Sequence, residues 1–100
     1  VFLNMRVFGM DIQQAIAAPR FYSINSPSSF SPHESTAAGL RLELPLYQAQ
    51  AAALAQLGYK VLEDPEWDKD FGAVGGILRS DDGKLLAGAD PREETTAAAR

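Results

Sequence analysis

The chain lacks cysteine entirely, holds a single histidine (His33), and carries nine lysines and arginines against thirteen aspartates and glutamates. Without thiols there is no disulfide framework and no thiolate nucleophile or ligand. Because absence of cysteine fits any compartment, it locates nothing. One histidine cannot build a multi-histidine metal centre. The formal charge of -4, with basic residues scattered singly, argues against a nucleic-acid surface, since phosphate binding needs clustered lysine and arginine. No apolar run approaches the length that spans a bilayer. The opening Val1-Phe2-Leu3 is too short for a signal-peptide core and has no basic start. Neither nucleic acid nor membrane is therefore an expected partner, and no cofactor is implied.

An apolar fraction of 46% is ordinary for a globular protein and excludes disorder along the whole chain. A chain of this size buries roughly two-thirds of its unfolded surface, enough for a real core. It fits one small domain or a piece of a larger one. A start on Val1 in place of methionine implies that upstream chain has been removed.

Val1 to Phe8 is mostly apolar and ends before Gly9. A helix stopped by a glycine and a buried strand both fit, and the last turns of a helix are preferred. Asp11 and Gln14 have the spacing of a capping box, and Ile12, Ala15, Ile16 and Pro19 make a narrow apolar stripe. Pro19 stops this helix and holds Arg20 in extended chain. Phe21 to Gly39 is serine-rich with Pro27 and Pro32, and reads as irregular chain anchored by Phe21, Tyr22 and Phe30. Arg41 to Leu44 alternates like a short strand. Pro45 then opens a helix over 46–57 that Gly58 stops, with Leu46, Ala49, Ala53, Leu54 and Leu57 inward. Tyr59 to Glu63 reads as a strand and 64–70 as an acidic loop. Residues 71–79 and 84–89 flank Ser80-Asp81-Asp82-Gly83, a hairpin turn. Neither hairpin strand has a fully polar face, so layers on both sides are expected. The order of elements is α+β.

Among chemically suggestive residues, Arg20 and Arg92 come first, because each follows a proline that fixes the local backbone. A guanidinium so held forks onto a carboxylate as a structural pair, or binds a substrate carboxylate. The structural pair is the preferred reading. His33, near Ser31 and Ser35, reads as a solvated loop residue without the geometry of a catalytic triad. The acidic run from Glu63 to Asp70 lacks the glycine and closing glutamate of a calcium loop, so it reads as solvated and no metal site is expected. Gly72, Gly75 and Gly76 match no phosphate-binding pattern and are read as permitting close backbone approach.

Taken in order, several short motifs resemble the C-terminal portion of the γ-glutamyltransferase (γ-glutamyltranspeptidase) family. They are Asn4, Gly9 with Asp11-Ile12-Gln13-Gln14-Ala15, Ala18-Pro19-Arg20-Phe21, Leu42-Glu43, and Leu57-Gly58-Tyr59-Lys60-Val61. Phe71-Gly72-Ala73-Val74, Gly76-Ile77 and Gly88-Ala89-Asp90-Pro91-Arg92 complete the series. Tyr22 and Tyr59 depart from the usual residues, and 28–39 is longer than usual.

The resemblance implies part of an N-terminal-nucleophile hydrolase αββα sandwich, helices plus antiparallel strands ending in a hairpin, with residues 1–92 the C-terminal part of a small subunit and 93–100 a tail. It implies a parent enzyme that cleaves γ-glutamyl amides such as glutathione and passes the γ-glutamyl group to water or an amino acid. The nucleophile of the family is a threonine freed at the start of the small subunit. No catalytic residue is therefore expected in this chain, and Arg20, Asp90 and Arg92 carry only structural support of the site. Expected partners are the rest of the parent, namely the large subunit and upstream small-subunit segments. The small-molecule substrate would bind in that parent. The compartment stays open, with a periplasmic or secreted location fitting the family. A noncatalytic interaction domain of the same fold is the alternative. Exposed apolar faces would make the isolated chain self-associate.

Overall fold

Asp11 caps the second helix as its spacing requires. Its carboxylate accepts the Gln14 amide at 2.7 Å, and the Gln14 side chain accepts the Asp11 amide at 3.2 Å. The computed structural model describes residues 1–98. Its elements in chain order are helices α1 (Phe2–Arg6) and α2 (Ile12–Ala17), strands β1 (Phe21–Ser23) and β2 (Gly39–Glu43), and helix α3 (Leu44–Gln56). Strands β3 (Lys60–Asp64), β4 (Gly76–Arg79) and β5 (Leu85–Gly88) follow, with a 3-10 turn at Lys69–Phe71. They fall into two units: Val1–Ala18 with the chain from Gly72 onward, and Pro19–Phe71.

The first unit holds α1, α2 and the β4-β5 hairpin. Within residues 1–8, Phe2–Arg6 is helical and no strand forms, and Gly9 adopts positive φ beyond the helix end. The hairpin closes through Ser80 N–H to Lys84 O and Gly83 N–H to Ser80 O, both 2.9 Å, with Gly83 at φ 86°. Helix α2 lies over the hairpin where two glycines stand opposite each other, Gly76 and Gly88. A Cβ at Gly88 would sit 2.7 Å from Ile16 Cδ1, and one at Gly76 would sit 3.0 Å from Ile12 Cδ1. These glycines admit the buried face Ile12, Ala15 and Ile16. Pro19 is exposed and outside the helix, so it takes no part in that face. The first hairpin strand is shorter than the sequence suggests. Residues 71–75 form no strand, and Gly72 sits at φ 74°, outside extended geometry.

In the second unit β1, β2 and β3 form one sheet in that order. Strand β1 pairs antiparallel with β2, Phe21 opposite Leu42, so the stretch read as irregular opens with a strand. Phe21 and Phe30 are exposed and do not anchor it, while the half-buried Tyr22 stacks edge-on against Phe71 at 4.9 Å. Strand β3 runs parallel to β2, with Gly39 opposite Lys60 and Glu43 opposite Asp64. The sheet is therefore mixed rather than wholly antiparallel. The cause is α3: thirteen residues rise about 20 Å and carry the chain back to the end where β2 began. Gly58 stops α3, as expected, in a Schellman arrangement with Gly58 N–H to Ala55 O at 3.0 Å and Tyr59 N–H to Leu54 O at 3.2 Å. The inner face of α3 is offset from the expected one. Leu46 and Leu54 are half-buried, whereas Ala49, Ala53 and Leu57 are exposed.

Gly39 is the tighter of the two glycines of this unit. An added Cβ would lie 2.6 Å from Ile24 Cγ1 and 2.9 Å from Thr36 O. A backbone oxygen cannot swing away as a side-chain end can. Gly39→Ala is therefore expected to destabilise the protein by about 1–3 kcal/mol. Gly75→Ala, with nothing near its Cβ, should change it little. Urea denaturation of both variants checks the contrast, and equal midpoints would contradict the close approach.

Candidate functional site

Arg92 and Asp90 are the buried charges of the first unit among the described residues. Their side chains are both fully buried, 3.1 Å apart. Pro91 fixes the turn between them, and the Asp90 carboxylate also accepts the Arg92 amide at 3.0 Å. The guanidinium then reaches the end of α2, donating to Ile16 O at 3.1 Å and Ala18 O at 3.0 Å. The last carbonyls of a helix have no intrahelical donors and carry partial negative charge. Arg92 supplies both hydrogen bonds and positive charge there. The second Asp90 oxygen accepts the Val74 amide at 2.8 Å, and Asp90 O accepts the Thr95 hydroxyl at 2.8 Å. One ion pair thus joins the α2 terminus, the approach to β4, and the turn after β5.

Arg20 serves a similar end in the second unit. It precedes β1 and continues its register, so its backbone pairs with Glu43, whose amide donates to Arg20 O at 3.1 Å. The Glu43 carboxylate is fully buried and accepts the Arg20 amide at 2.8 Å. The Arg20 guanidinium donates to Phe71 O at 3.3 Å, which holds the 3-10 turn to the strand. Glu43 is also the residue that starts α3. Both Pro-Arg motifs therefore tie chain ends together inside their own unit.

Sequence reasoning missed a third arginine centre. Arg41, on β2, forks onto Asp64 at the end of β3: Nε donates to Oδ2 at 2.9 Å and Nη2 donates to Oδ1. Nη1 donates to the Tyr22 hydroxyl at 2.9 Å. The bidentate hydrogen bond with Asp64 raises the guanidinium pKa further above its ordinary value, against the opposing cost of burial. Asp64 is buried, a correction to the reading of 64–70 as wholly solvated. The signal was present in outline, since an arginine between Leu40 and Leu42 on a half-buried strand needs a partner. Only the parallel pairing shows that Asp64 is that partner. An open cleft of about 620 Å³ lies beside this centre, lined by Tyr22, Arg41, Leu62, Ser28, Thr36 and Glu34.

His33 is exposed, with Nδ1 2.7 Å from Ser28 O, and belongs to none of the three centres. Among the described residues no group of three or more histidines, cysteines, aspartates or glutamates is placed to hold a metal ion. No helix among them is long and apolar enough to cross a membrane.

Removing the Arg92 side chain takes the ion-pairing guanidinium from buried Asp90 and one donor each from Ile16 O and Ala18 O. Arg92→Ala is expected to cost about 3–5 kcal/mol of folding stability, the range for one half of a buried pair. Arg92→Lys should recover only part of this, since one ammonium cannot serve Asp90, Ile16 O and Ala18 O with the same geometry. Thermal and urea unfolding of the two variants measure it. A loss within error for Arg92→Ala would contradict the role.

The model of the gamma-glutamyltranspeptidase family matches residues 1–100. Among solved structures the chain is similar to LmbA2991, with a TM-score of 0.79 and 30% identity over 91% of this chain and 16% of that one. It is also similar to gamma-glutamyltranspeptidase from Pseudomonas nitroreducens in complex with L-DON. There the TM-score is 0.68, with 21% identity over 97% of this chain and 45% of that one. A highly active mutant of the same enzyme gives a TM-score of 0.67. No curated protein matches. The chain thus spans less than half the length of the solved chains it resembles. Its mixed α+β fold corresponds to part of theirs, and by its full-length match the chain belongs to the gamma-glutamyltranspeptidase family.

Proposed function

We propose that this chain is the C-terminal part of the small subunit of an enzyme that cleaves γ-glutamyl amides such as glutathione and transfers the γ-glutamyl group to water or an amino acid. The observation that carries this reading is the family match along residues 1–100, in a chain that spans 45% of a solved member. In this reading the two sheets, each with a helix packed on it, are portions of an αββα sandwich. The amide is attacked by the hydroxyl of a threonine freed at the start of the small subunit, activated by its own amino group. That threonine lies outside residues 1–100.

The contribution of this chain is rigidity. Asp90 with Arg92 holds the end of α2, and Arg20 with Glu43 holds the start of β1 against the start of α3. Hydrogen bonds from the buried Arg92 and the half-buried Arg20 fix these chain ends in one arrangement, which is what a site built by other segments needs from its support. In this reading residues 1–92 are the C-terminal part of the small subunit and 93–100 its tail.

Release of glutamate from glutathione tests the reading. The isolated chain should give none, and the full-length parent should give turnover. Glutamate release by the isolated chain would overturn the placement of the nucleophile. An inactive parent would favour a noncatalytic interaction domain of the same fold.

In the absence of the rest of the parent, apolar surface stays uncovered. Phe2, Leu3, Val7 and Phe8 on and after α1 are 64–71% exposed. The isolated chain should therefore self-associate, and light scattering should give a mass above the monomer. A clean monomer at high concentration would count against this.

A further inference from the structure

We propose that the Asp82–Gly83 bond at the tip of the β4-β5 hairpin is a site of spontaneous isoaspartate formation, and that the folded turn holds the reaction back by engaging both reacting groups. The reaction needs only water. The Gly83 amide nitrogen attacks Cγ of Asp82 and an N–Cγ bond forms. One carboxyl oxygen then leaves as water, taking the carboxyl proton and the amide proton. The five-membered imide takes up one water at either carbonyl. One opening restores aspartate, and the other leaves the main chain running through Cβ and Cγ of residue 82. Atoms balance, and no oxidant or reductant enters.

The sequence singles out this bond. A side chain on the following residue crowds the ring closure, so glycine is the least hindered neighbour. Asp82 is the one aspartate or asparagine of the chain that glycine follows. Asp64 and Asp90 precede prolines, whose nitrogen carries no proton to lose. The other aspartates precede Ile12, Lys69, Phe71 and Asp82, and the asparagines precede Met5 and Ser26. Asp81, Asp82 and Gly83 are all exposed, so water reaches the bond.

The turn opposes the reaction at both groups. Gly83 N–H donates to Ser80 O at 2.9 Å, so the attacking nitrogen is engaged across the turn. The Asp82 carboxylate is held as well. Its Oδ1 accepts the Ser80 hydroxyl and, at 3.2 Å, the Lys84 amide, while Oδ2 lies 3.0 Å from Lys84 Nζ. The Ser80 hydroxyl first, and Lys84 second, hold this carboxyl below the usual carboxylate range. A carboxylate is a poor electrophile, because its oxygen leaves as water only from the protonated form. Ring closure therefore requires the turn to open and release both groups. The product no longer fits the turn: isoaspartate adds one methylene to the main chain between Ser80 and Lys84, whose backbone hydrogen bond closes the hairpin. The inference is independent of the function proposed above.

Ageing of the full-length parent at neutral pH tests it. Isoaspartate at position 82 is read by enzymatic methylation and by fragmentation of the peptide that spans 80–84. The folded protein should form it roughly tenfold more slowly than the same protein in urea, since the reaction proceeds through local opening. Ser80→Ala should raise the folded-state rate about fivefold, the effect of losing one modest hydrogen bond. Ser80→Thr keeps the hydroxyl and should stay near the native rate. Absence of isoaspartate at 82 in urea would overturn the site itself. Equal rates in folded and unfolded protein would overturn the protection by the turn. An unchanged rate in Ser80→Ala, or a rate in Ser80→Thr as high as in Ser80→Ala, would overturn the part played by the Ser80 hydroxyl.

Discussion

Burial of the Asp90–Arg92 pair imposes the strictest constraint on this chain. A guanidinium and a carboxylate removed from water lose hydration worth several kcal/mol each, and only good geometry with every donor and acceptor engaged offsets the loss. Here the acceptors include Ile16 O and Ala18 O at the end of α2, and the donors include the Val74 amide. The pair therefore holds only while α2, the approach to β4 and the turn after β5 keep their places. Its apolar surroundings are modest. The buried hydrophobic residues among those described are Ile12, Ala15, Ile16 and Leu42, matched in number by the buried Glu43, Asp64, Asp90 and Arg92. With so little apolar core, directional bonds carry much of the specification of the fold.

The same device recurs at Arg20 and Arg41. All three arginines reach backbone or side-chain oxygens in segments distant in sequence, and each lies inside one unit of the structure. Planar guanidinium groups suit this work because their donors point in fixed directions. For a member of the gamma-glutamyltranspeptidase family that carries only part of its relatives' length, such clasps give order without a large core of its own. Glycine completes the design where side chains would intrude. Gly76 and Gly88 let the isoleucines of α2 lie directly on the hairpin, and Gly39 lets β2 pass close under Thr36.

Local signals in the sequence were legible where the cause is local. The Asp11–Gln14 capping box, the Pro45 start and Gly58 stop of α3, and the Asp-Gly turn at 82–83 all depend on residues within a few positions of one another. Each appears as its chemistry requires. The readings that failed involve distant partners. Phe21 and Tyr22 looked like isolated anchors because β2, the strand that orders them, begins some distance later in the chain. Residues 71–75 looked like strand because their apolar character is right, yet positive φ at Gly72 takes the backbone elsewhere. The inner face of α3 shifted because an alanine-rich helix has too weak a stripe to fix its own rotation, leaving the sheet to set it.

From residues alone came most of the element classes, the order of those elements, and the resemblance to one enzyme family. These follow from backbone preference and short-range hydrogen bonding, which act along the chain. Tertiary structure alone decided that β3 runs parallel to β2, that Asp64 is the buried partner of Arg41, and that the Gln13 amide pairs with the Ala89 backbone. Those facts depend on which segments meet in space. Such meetings are selected by the free energy of the whole packed arrangement rather than by any one stretch of it.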